Sequence, residues 1–203
     1  YGAFFVVATN LLVVLSHQAG YLKANAHLKN TRLAAVSALL ADVYDKQILS
    51  ILYPRLHQLT KNNEVLANRK LSFHSLNWAA LPGKNLTKDF DLPLSPHCHG
   101  YLDQAQLVES DKNGYQLRGW AVDKATTKAA DIVVLATEGH SVVGIAFAGR
   151  PRADVRQHYP NAIDSGWFGH AKVKPGQTIK AYALVNDNRS ICLLRGNFSR
   201  ADE

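Results

Sequence analysis

Short runs of alternating apolar and polar residues fill the second half of the chain, from Tyr101 to Leu194. Clusters of Gly, Asn, Asp and Pro separate these runs, as in Asp111-Lys112-Asn113-Gly114 and Lys174-Pro175-Gly176-Gln177. Runs of this length joined by tight turns are typical of antiparallel strands. The pattern predicts an all-β antiparallel sandwich or jelly roll of seven or eight strands.

The first half of the chain has a helical pattern instead. Between Thr31 and Leu52 the apolar residues recur at spacings of three and four, which places them on one face of a helix. Pro54 ends this helix, because proline has no N–H and disfavours helical geometry at the preceding residue. We predict an amphipathic helix over 31–52 and a shorter helix over 56–66. Together with the strands, these helices predict the α+β class.

An apolar run also lies near the start of the chain, from Phe4 to Leu15, and the first Lys, Arg, Asp or Glu is Lys23. A membrane-spanning helix needs about 20 apolar residues, so this run is too short to span by itself. The chain begins with Tyr1 and contains no Met. We therefore expect it to be the C-terminal part of a longer protein, with this run as the end of a transmembrane helix. A buried helix of a soluble protein and a signal-peptide core are the alternatives.

Prolines and glycine concentrate between the helical and strand patterns, at Pro82-Gly83, Pro93 and Pro96. Such a composition is typical of an extended connection. The sequence therefore predicts a helical, membrane-proximal segment over 1–75, a linker over 76–97 and a β-module over 98–203.

The net charge of the chain is +7, with an isoelectric point of about 9.4. Lys and Arg are scattered, and no basic run exceeds two residues, as at Arg69-Lys70. We interpret the charge as a solubilising one and expect no nucleic-acid partner. Hydrophobic residues make up 47% of the chain, which is enough for a sizeable core and excludes general disorder.

Two cysteines bracket the β pattern, Cys98 at its start and Cys192 near its end. A disulfide between the first and last strands would suit an oxidising compartment. Two buried, unpaired thiols are the other interpretation, and the sequence leaves both open.

No complete catalytic constellation is visible. The chain has no Gly-x-Ser-x-Gly elbow, phosphate-binding glycine loop or dinucleotide fingerprint. His97-Cys98-His99 has metal-ligand chemistry, but no Cys-x-x-Cys or His-x-x-x-His partner completes a tetrahedral site. We therefore expect no catalytic residue, no metal and no cofactor in this chain.

Aromatic and basic side chains supply the candidate carbohydrate-binding residues. Trp120 and Trp167 are candidates for a platform under sugar rings, with core packing as the alternative for both. Arg150 and Arg152 are candidates for a glycan or anion contact, with a structural loop bracket as the alternative. Asp154 completes the set, because it can pair with Arg152 or cap the next turn.

These residues lie in a pattern that resembles a known module. The motifs Gly119-Trp120-Ala121-Val122-Asp123, Arg152-Ala153-Asp154-Val155, Tyr159-Pro160 and Ser165-Gly166-Trp167 resemble a β-sandwich appended to bacterial surface-polysaccharide proteins. There it accompanies glycosyltransferases and polytopic membrane proteins of lipopolysaccharide or O-antigen assembly. The similarity covers Cys98 to Phe198, about half of the chain, and includes the positions of both cysteines.

The resemblance implies a location and a role. Upstream, the apolar helix end, the amphipathic helix and Leu52-Tyr53-Pro54 resemble the segment after the last span of such proteins. We expect a bacterial inner-membrane protein, held in the membrane by its N-terminal helix and carrying a periplasmic C-terminal domain. The expected function is non-catalytic glycan recognition or docking for a glycosyltransferase, with a surface glycan or a lipid-linked sugar as ligand. Any transferase activity would lie in a part upstream of this chain.

The alternative function belongs to another class. The chain would then be a structural subunit of a cell-envelope complex that binds protein partners through helix 31–52. An apolar stripe left exposed on that helix would favour this alternative.

Overall fold

Antiparallel strands are the largest class of secondary structure in the described chain. The computed structural model describes residues 24–52, 55–89 and 92–201. Its helices are α1 (24–40), α2 (Lys46–Leu52), α3 (Leu56–Asn68) and α4 (Ala153–His158), with 3-10 turns at Ser72–Ser75 and Asn77–Ala80. Its strands are β1 (Cys98–Val108), β2 (Asp111–Asp123), β3 (Lys128–Ala129), β4 (Ile132–Thr137), β5 (Val142–Arg150), β6 (Gly166–Lys172), β7 (Thr178–Val185), β8 (Ser190–Leu193) and β9 (Phe198–Ser199).

The nine strands of the described residues belong to one sheet. The strand order is β1-β2-β6-β5-β4-β7-β8, with β3 beside β2 and β9 beside β7. Every pairing between two of these strands is antiparallel. The predicted α+β class and the antiparallel strands are therefore confirmed. The sandwich is not, because the strands form a single curled sheet in place of two facing ones.

The curl brings the first and last strands of the sheet together. A flat sheet would hold β1 and β8 about 29 Å apart, at about 4.8 Å for each of the six steps between them. Instead Cys98 in β1 and Cys192 in β8 form a disulfide, with their Cα atoms 6.0 Å apart. Beyond β8, Arg195 donates its N–H to the carbonyl of Gly100 at 3.1 Å and accepts the N–H of Leu102 at 2.9 Å. The disulfide that the sequence left open is thus present, and it closes the seam of the curled sheet.

The inner face of the curl holds the main core. Its side chains come from alternate positions of the strands, as the pleat requires, and many are small, which lets the sheet close tightly. Trp167 is the largest side chain in this cluster and is 1% exposed. The cluster includes Leu102, Leu117, Ala121, Val133, Leu135, Ala146, Trp167, Ala171, Ile179, Ala181 and Ala183.

Helix α1 covers part of the outer face of the sheet. Its apolar stripe, Leu33, Val36 and Leu40, packs against a second cluster that includes Val134 and Ile145. Strand β4 is consequently buried on both faces, from residue 132 to residue 136, which fits its uninterrupted apolar sequence. The α1 part of the stripe predicted over 31–52 therefore meets the protein's own sheet. Further along the predicted stripe, Tyr44 and Ile51 are 42% and 62% exposed.

The helix predicted over 31–52 is broken into two. After α1, Asp42 adopts a left-handed backbone with φ of +52°, and the N–H of Val43 bonds to the carbonyl of Ala38. The carboxylate of Asp45 then accepts the N–H of Ile48 and caps α2. Val43 fits the apolar spacing of a continuous helix, but it lies in the break and packs against Val108. The shorter helix predicted over 56–66 corresponds to α3.

The segment predicted as a linker contacts the sheet. Leu81 and Leu86 are buried in the outer cluster, and the backbone of Lys84 accepts the N–H of Val142. The division of the chain into a helical segment over 1–75, a linker over 76–97 and a β-module over 98–203 stays a prediction.

The predicted transmembrane run, Phe4 to Leu15, lies outside the described residues. Within the ranges that the structure describes, no helix has both the length and the apolar character needed to cross a bilayer.

Candidate ligand-binding site

A pocket opens on the outer face of β1 and β2, on the side of the sheet where α4 packs. Its cavity volume is about 410 Å³. Trp120 of β2 and His99 of β1 come from the sheet, and Tyr159 follows directly after α4. The full lining is His99, Trp120, Asp154, Val155, His158 and Tyr159.

A small apolar cluster fixes α4 over the sheet. Val155 is 4% exposed and packs against Val122 of β2 and Ala162. Because Val155 is the single buried residue of the six-residue helix α4, it decides which face of that helix turns to the sheet. Asp154 and His158, its exposed neighbours, are left to line the pocket wall.

Aromatic rings form the base of the pocket. The His99 and Trp120 rings meet edge to face, with centroids 4.9 Å apart. The Nδ1 atom of His99 lies 3.1 Å from the hydroxyl of Tyr159. Burial lowers the pKa of His99, and the charges of Lys124 and Arg195 lower it further. The lowered pKa favours the neutral ring, which can form a hydrogen bond with the Tyr159 hydroxyl.

The guanidinium of Arg152 lies next to the pocket, outside its lining. It lies 6.0 Å from the centre of the Trp120 ring. Asp154 accepts two hydrogen bonds from it, at 2.9 and 2.7 Å, and Asp103 accepts a third. The hydrogen bond from Arg152 is the main cause of a strongly lowered pKa at Asp154. These contacts hold the guanidinium in a fixed plane beside the ring, and the Arg152–Asp154 pair expected from the sequence is present.

Of the five predicted binding residues, Trp120 and Asp154 line the pocket, and Arg152 lies beside it, paired with Asp154. Arg150 lies outside the pocket lining, with its guanidinium 4.3 Å from the centre of the Phe168 ring. Trp167 points into the inner core and has no face open to a ligand. Of the two interpretations of Trp167, the structure supports core packing.

The burial of Trp167 depends on the glycine beside Trp120. A Cβ atom placed on Gly119 would lie 2.4 Å from the Trp167 ring and 2.0 Å from the carbonyl of Tyr101. The Gly-Trp pair of β2 therefore has two functions in the structure. Gly119 leaves room for the inner tryptophan, while Trp120 faces outward.

His99 and Tyr159 were not identified as binding residues from the sequence. His99 entered only as part of a doubtful metal motif, and Tyr159 only as part of a resemblance. They meet because β1 pairs with β2 and α4 folds back, and no local pattern reveals such a contact. In the described ranges, no group of three or more His, Cys, Asp or Glu residues could hold a metal ion.

We compared the chain with protein-family models, with curated proteins and with solved structures. None of the three comparisons finds a match. The function of the pocket is therefore inferred from the chemistry of its side chains. Chemically, the pocket offers a flat apolar ring, a carboxylate and a phenolic hydroxyl, and the fixed guanidinium of Arg152 lies beside them.

Proposed function

We propose that the pocket around Trp120 binds a carbohydrate, and that this chain is a non-catalytic glycan-recognition module. The observation that carries the proposal is the placement of a half-buried indole at an open pocket beside an orientated guanidinium. A sugar ring has an apolar C–H face that stacks on an aromatic ring. Its hydroxyls take hydrogen bonds from planar donors at the rim.

The polar groups around the indole suit a sugar better than an apolar ligand. Arg152 offers N–H donors, while Asp154 and the Tyr159 hydroxyl offer acceptors. Adjacent hydroxyls of a sugar both donate and accept, so they can pair with groups of either kind. A purely apolar ligand would leave these groups without partners once water is displaced, which costs free energy.

The disulfide supports an extracytoplasmic location, because such bonds persist in oxidising compartments. We place the module on the periplasmic side of a bacterial inner-membrane protein of surface-polysaccharide assembly, serving a glycosyltransferase. A surface glycan or a lipid-linked sugar is the ligand class. This placement rests on the sequence resemblance.

The test is glycan binding by the full chain on an array of bacterial surface polysaccharides, followed by calorimetry of the glycans retained. We expect Trp120→Ala to lower the affinity at least tenfold, which corresponds to about 1.4 kcal/mol. Tyr44→Ala is the matched control, because Tyr44 is 42% exposed and lies outside this pocket. Near-UV circular dichroism checks that both variants are folded. Absence of saturable binding, or equal affinity in the Trp120→Ala protein, would contradict the proposal.

A further inference from the structure

Two arginines share one phenylalanine ring beside the Trp120 pocket. Arg118 in β2 and Arg150 at the end of β5 come from the two strands that flank β6, and Phe168 lies between them in β6. The guanidinium carbon of Arg118 lies 5.6 Å from the centre of the ring, and that of Arg150 lies 4.3 Å from it. Phe168 is only 4% exposed. The ring is thus covered, and it positions both cations on the outer face.

Among the residues that the structure describes, neither of these guanidinium groups has an acidic partner. Across residues 24–52, 55–89 and 92–201, the ion pairs involve Arg152, Lys172, Lys180 and His170 but not Arg118 or Arg150. Burial lowers the pKa of Arg150, and the positive charge of Arg118 lowers it further. Partly buried charges are ordinarily paired, because removal from water is costly. The two arginines therefore form a positive site without a counter-ion from the described chain.

We infer that Arg118 and Arg150 bind the acidic group, a carboxylate or a phosphate, of the carbohydrate whose ring lies on Trp120. This inference rests on the proposed function and names the class of glycan. The planar fork of a guanidinium matches both oxyanions with two parallel hydrogen bonds. Arg118 and Trp120 are two residues apart on one strand, so their side chains share a face at a separation of about 7 Å. A sugar ring and the acidic substituent of that ring or its neighbour can span this distance.

The surroundings of Arg118 indicate on which side the acidic group lies. Beyond Arg118, the outer face continues into a polar cavity of about 340 Å³ whose wall includes Asp45, Glu109 and Gln116. Lys46 and Arg118 line the same cavity, so its charges are mixed and it offers no net positive site for an anion. On its other side Arg118 faces Arg150. The acidic group therefore lies between the two arginines, and uncharged parts of the glycan can extend towards Gln116.

The first experiment tests the anion site without a sugar. Inorganic phosphate and, separately, sodium acetate are titrated into the ¹⁵N-labelled full chain at constant ionic strength. The side-chain Nε–H signals of Arg118 and Arg150 are followed by NMR. We expect saturable shifts at both arginines, and the tighter of the two ions identifies phosphate or carboxylate as the preferred group. Shifts that grow linearly without saturation for both ions would overturn the inference.

Variants then separate a defined site from general charge. Arg118→Gln and Arg150→Gln are each expected to weaken anion binding at least tenfold. Arg189→Gln removes the same charge from an exposed turn between β7 and β8 and is expected to leave the dissociation constant unchanged. Arg150→Lys keeps the charge without the fork, so its affinity should lie between wild type and Arg150→Gln. Equal weakening by Arg189→Gln would overturn the inference.

The glycan array completes the test. The glycans retained by the wild-type chain are expected to carry uronic acids or phosphate groups. Retention of neutral glycans alone, without saturable anion binding, would refute the inference while leaving the proposed function intact. Saturable anion binding without retention of any glycan would refute the proposed function, and with it the assignment of the anion to a sugar.

Discussion

The Nε2 atom of His170 lies 2.9 Å from the carboxylate of Asp45, and this contact joins the sheet to the break between α1 and α2. Both side chains are buried, at 0% and 3% exposure. Gln116 of β2 donates to the same carboxylate oxygen at 2.6 Å. Ser37 of α1 accepts the backbone N–H of His170 at 2.7 Å. A polar network thus adds to the apolar cluster that holds the helical segment on the sheet.

The Asp45 carboxylate should be important for stability. We expect Asp45→Asn to lower the free energy of unfolding by about 2 kcal/mol, because it weakens charge-assisted hydrogen bonds from His170 and Gln116 in a buried site. Urea denaturation measures the change. Asp42→Asn is the matched control, since Asp42 forms an exposed pair with Lys172 at 2.6 Å. An exposed pair contributes little, so the control should change stability by less than about 0.5 kcal/mol. If both variants lowered the free energy of unfolding equally, the buried network would add nothing to stability.

The same carboxylate predicts a pH dependence. Burial raises the pKa of Asp45, but hydrogen bonds from His170, Gln116 and the N–H of Ile48 outweigh it, so the pKa lies below its ordinary value of 3.8. A carboxyl with a lowered pKa stabilises the fold above its ordinary pKa, and this contribution is lost as the pH falls towards the folded value. The stability difference between wild type and Asp45→Asn should therefore be constant from pH 7 to about pH 5 and shrink below about pH 4. Denaturation curves at pH 7, 5, 4 and 3 measure it, and a difference that grows on acidification would contradict the assignment.

The strands were predictable because their signals are local. Alternation and turn residues such as Lys174-Pro175-Gly176-Gln177 act within a few positions. The single curled sheet was not predictable, because alternation shows which residues share a face but not which strands pair. The insertion of β6 between β2 and β5 depends on contacts between distant parts of the chain. The helix break at residues 41–45 was hidden because Val43 keeps the helical spacing while packing on Val108.

In the candidate site, too, contacts between residues close in sequence were predictable and contacts between distant residues were not. The Arg152–Asp154 pair was accessible from the sequence because the two residues are two positions apart. Asp103 is the third member of that ion network and lies 49 residues away from Arg152. Tyr159 meets His99 across 60 residues. Trp167 stayed ambiguous because its flanking glycines are typical of a loop, although in the structure they make room for neighbouring strands.

The disulfide should stabilise the curled sheet strongly, because it links β1 to β8 across 94 residues. Closing a loop of that length in the unfolded chain predicts roughly 4–5 kcal/mol on entropy alone. We expect reduction to lower the free energy of unfolding by about 3–5 kcal/mol, measured by urea denaturation with and without a phosphine reductant. The Cys98→Ala, Cys192→Ala double variant should show the lower stability and no response to the reductant. A wild-type curve unaffected by complete reduction would contradict this role.

Gly119 should tolerate no larger residue, because the closure of the core depends on it. In Gly119→Ala the new methyl group would collide with the Tyr101 carbonyl and with the Trp167 ring. Overpacking of this kind costs about 1–3 kcal/mol, and a collision with backbone places this site at the upper end. Gly139→Ala is the matched control, because the nearest atom to a Cβ there is 3.8 Å away. Urea denaturation should show a loss of about 3 kcal/mol for the first variant and less than about 0.5 kcal/mol for the second. If Gly119→Ala were as stable as wild type, the close contact between Gly119 and Trp167 would not be needed to bury the tryptophan.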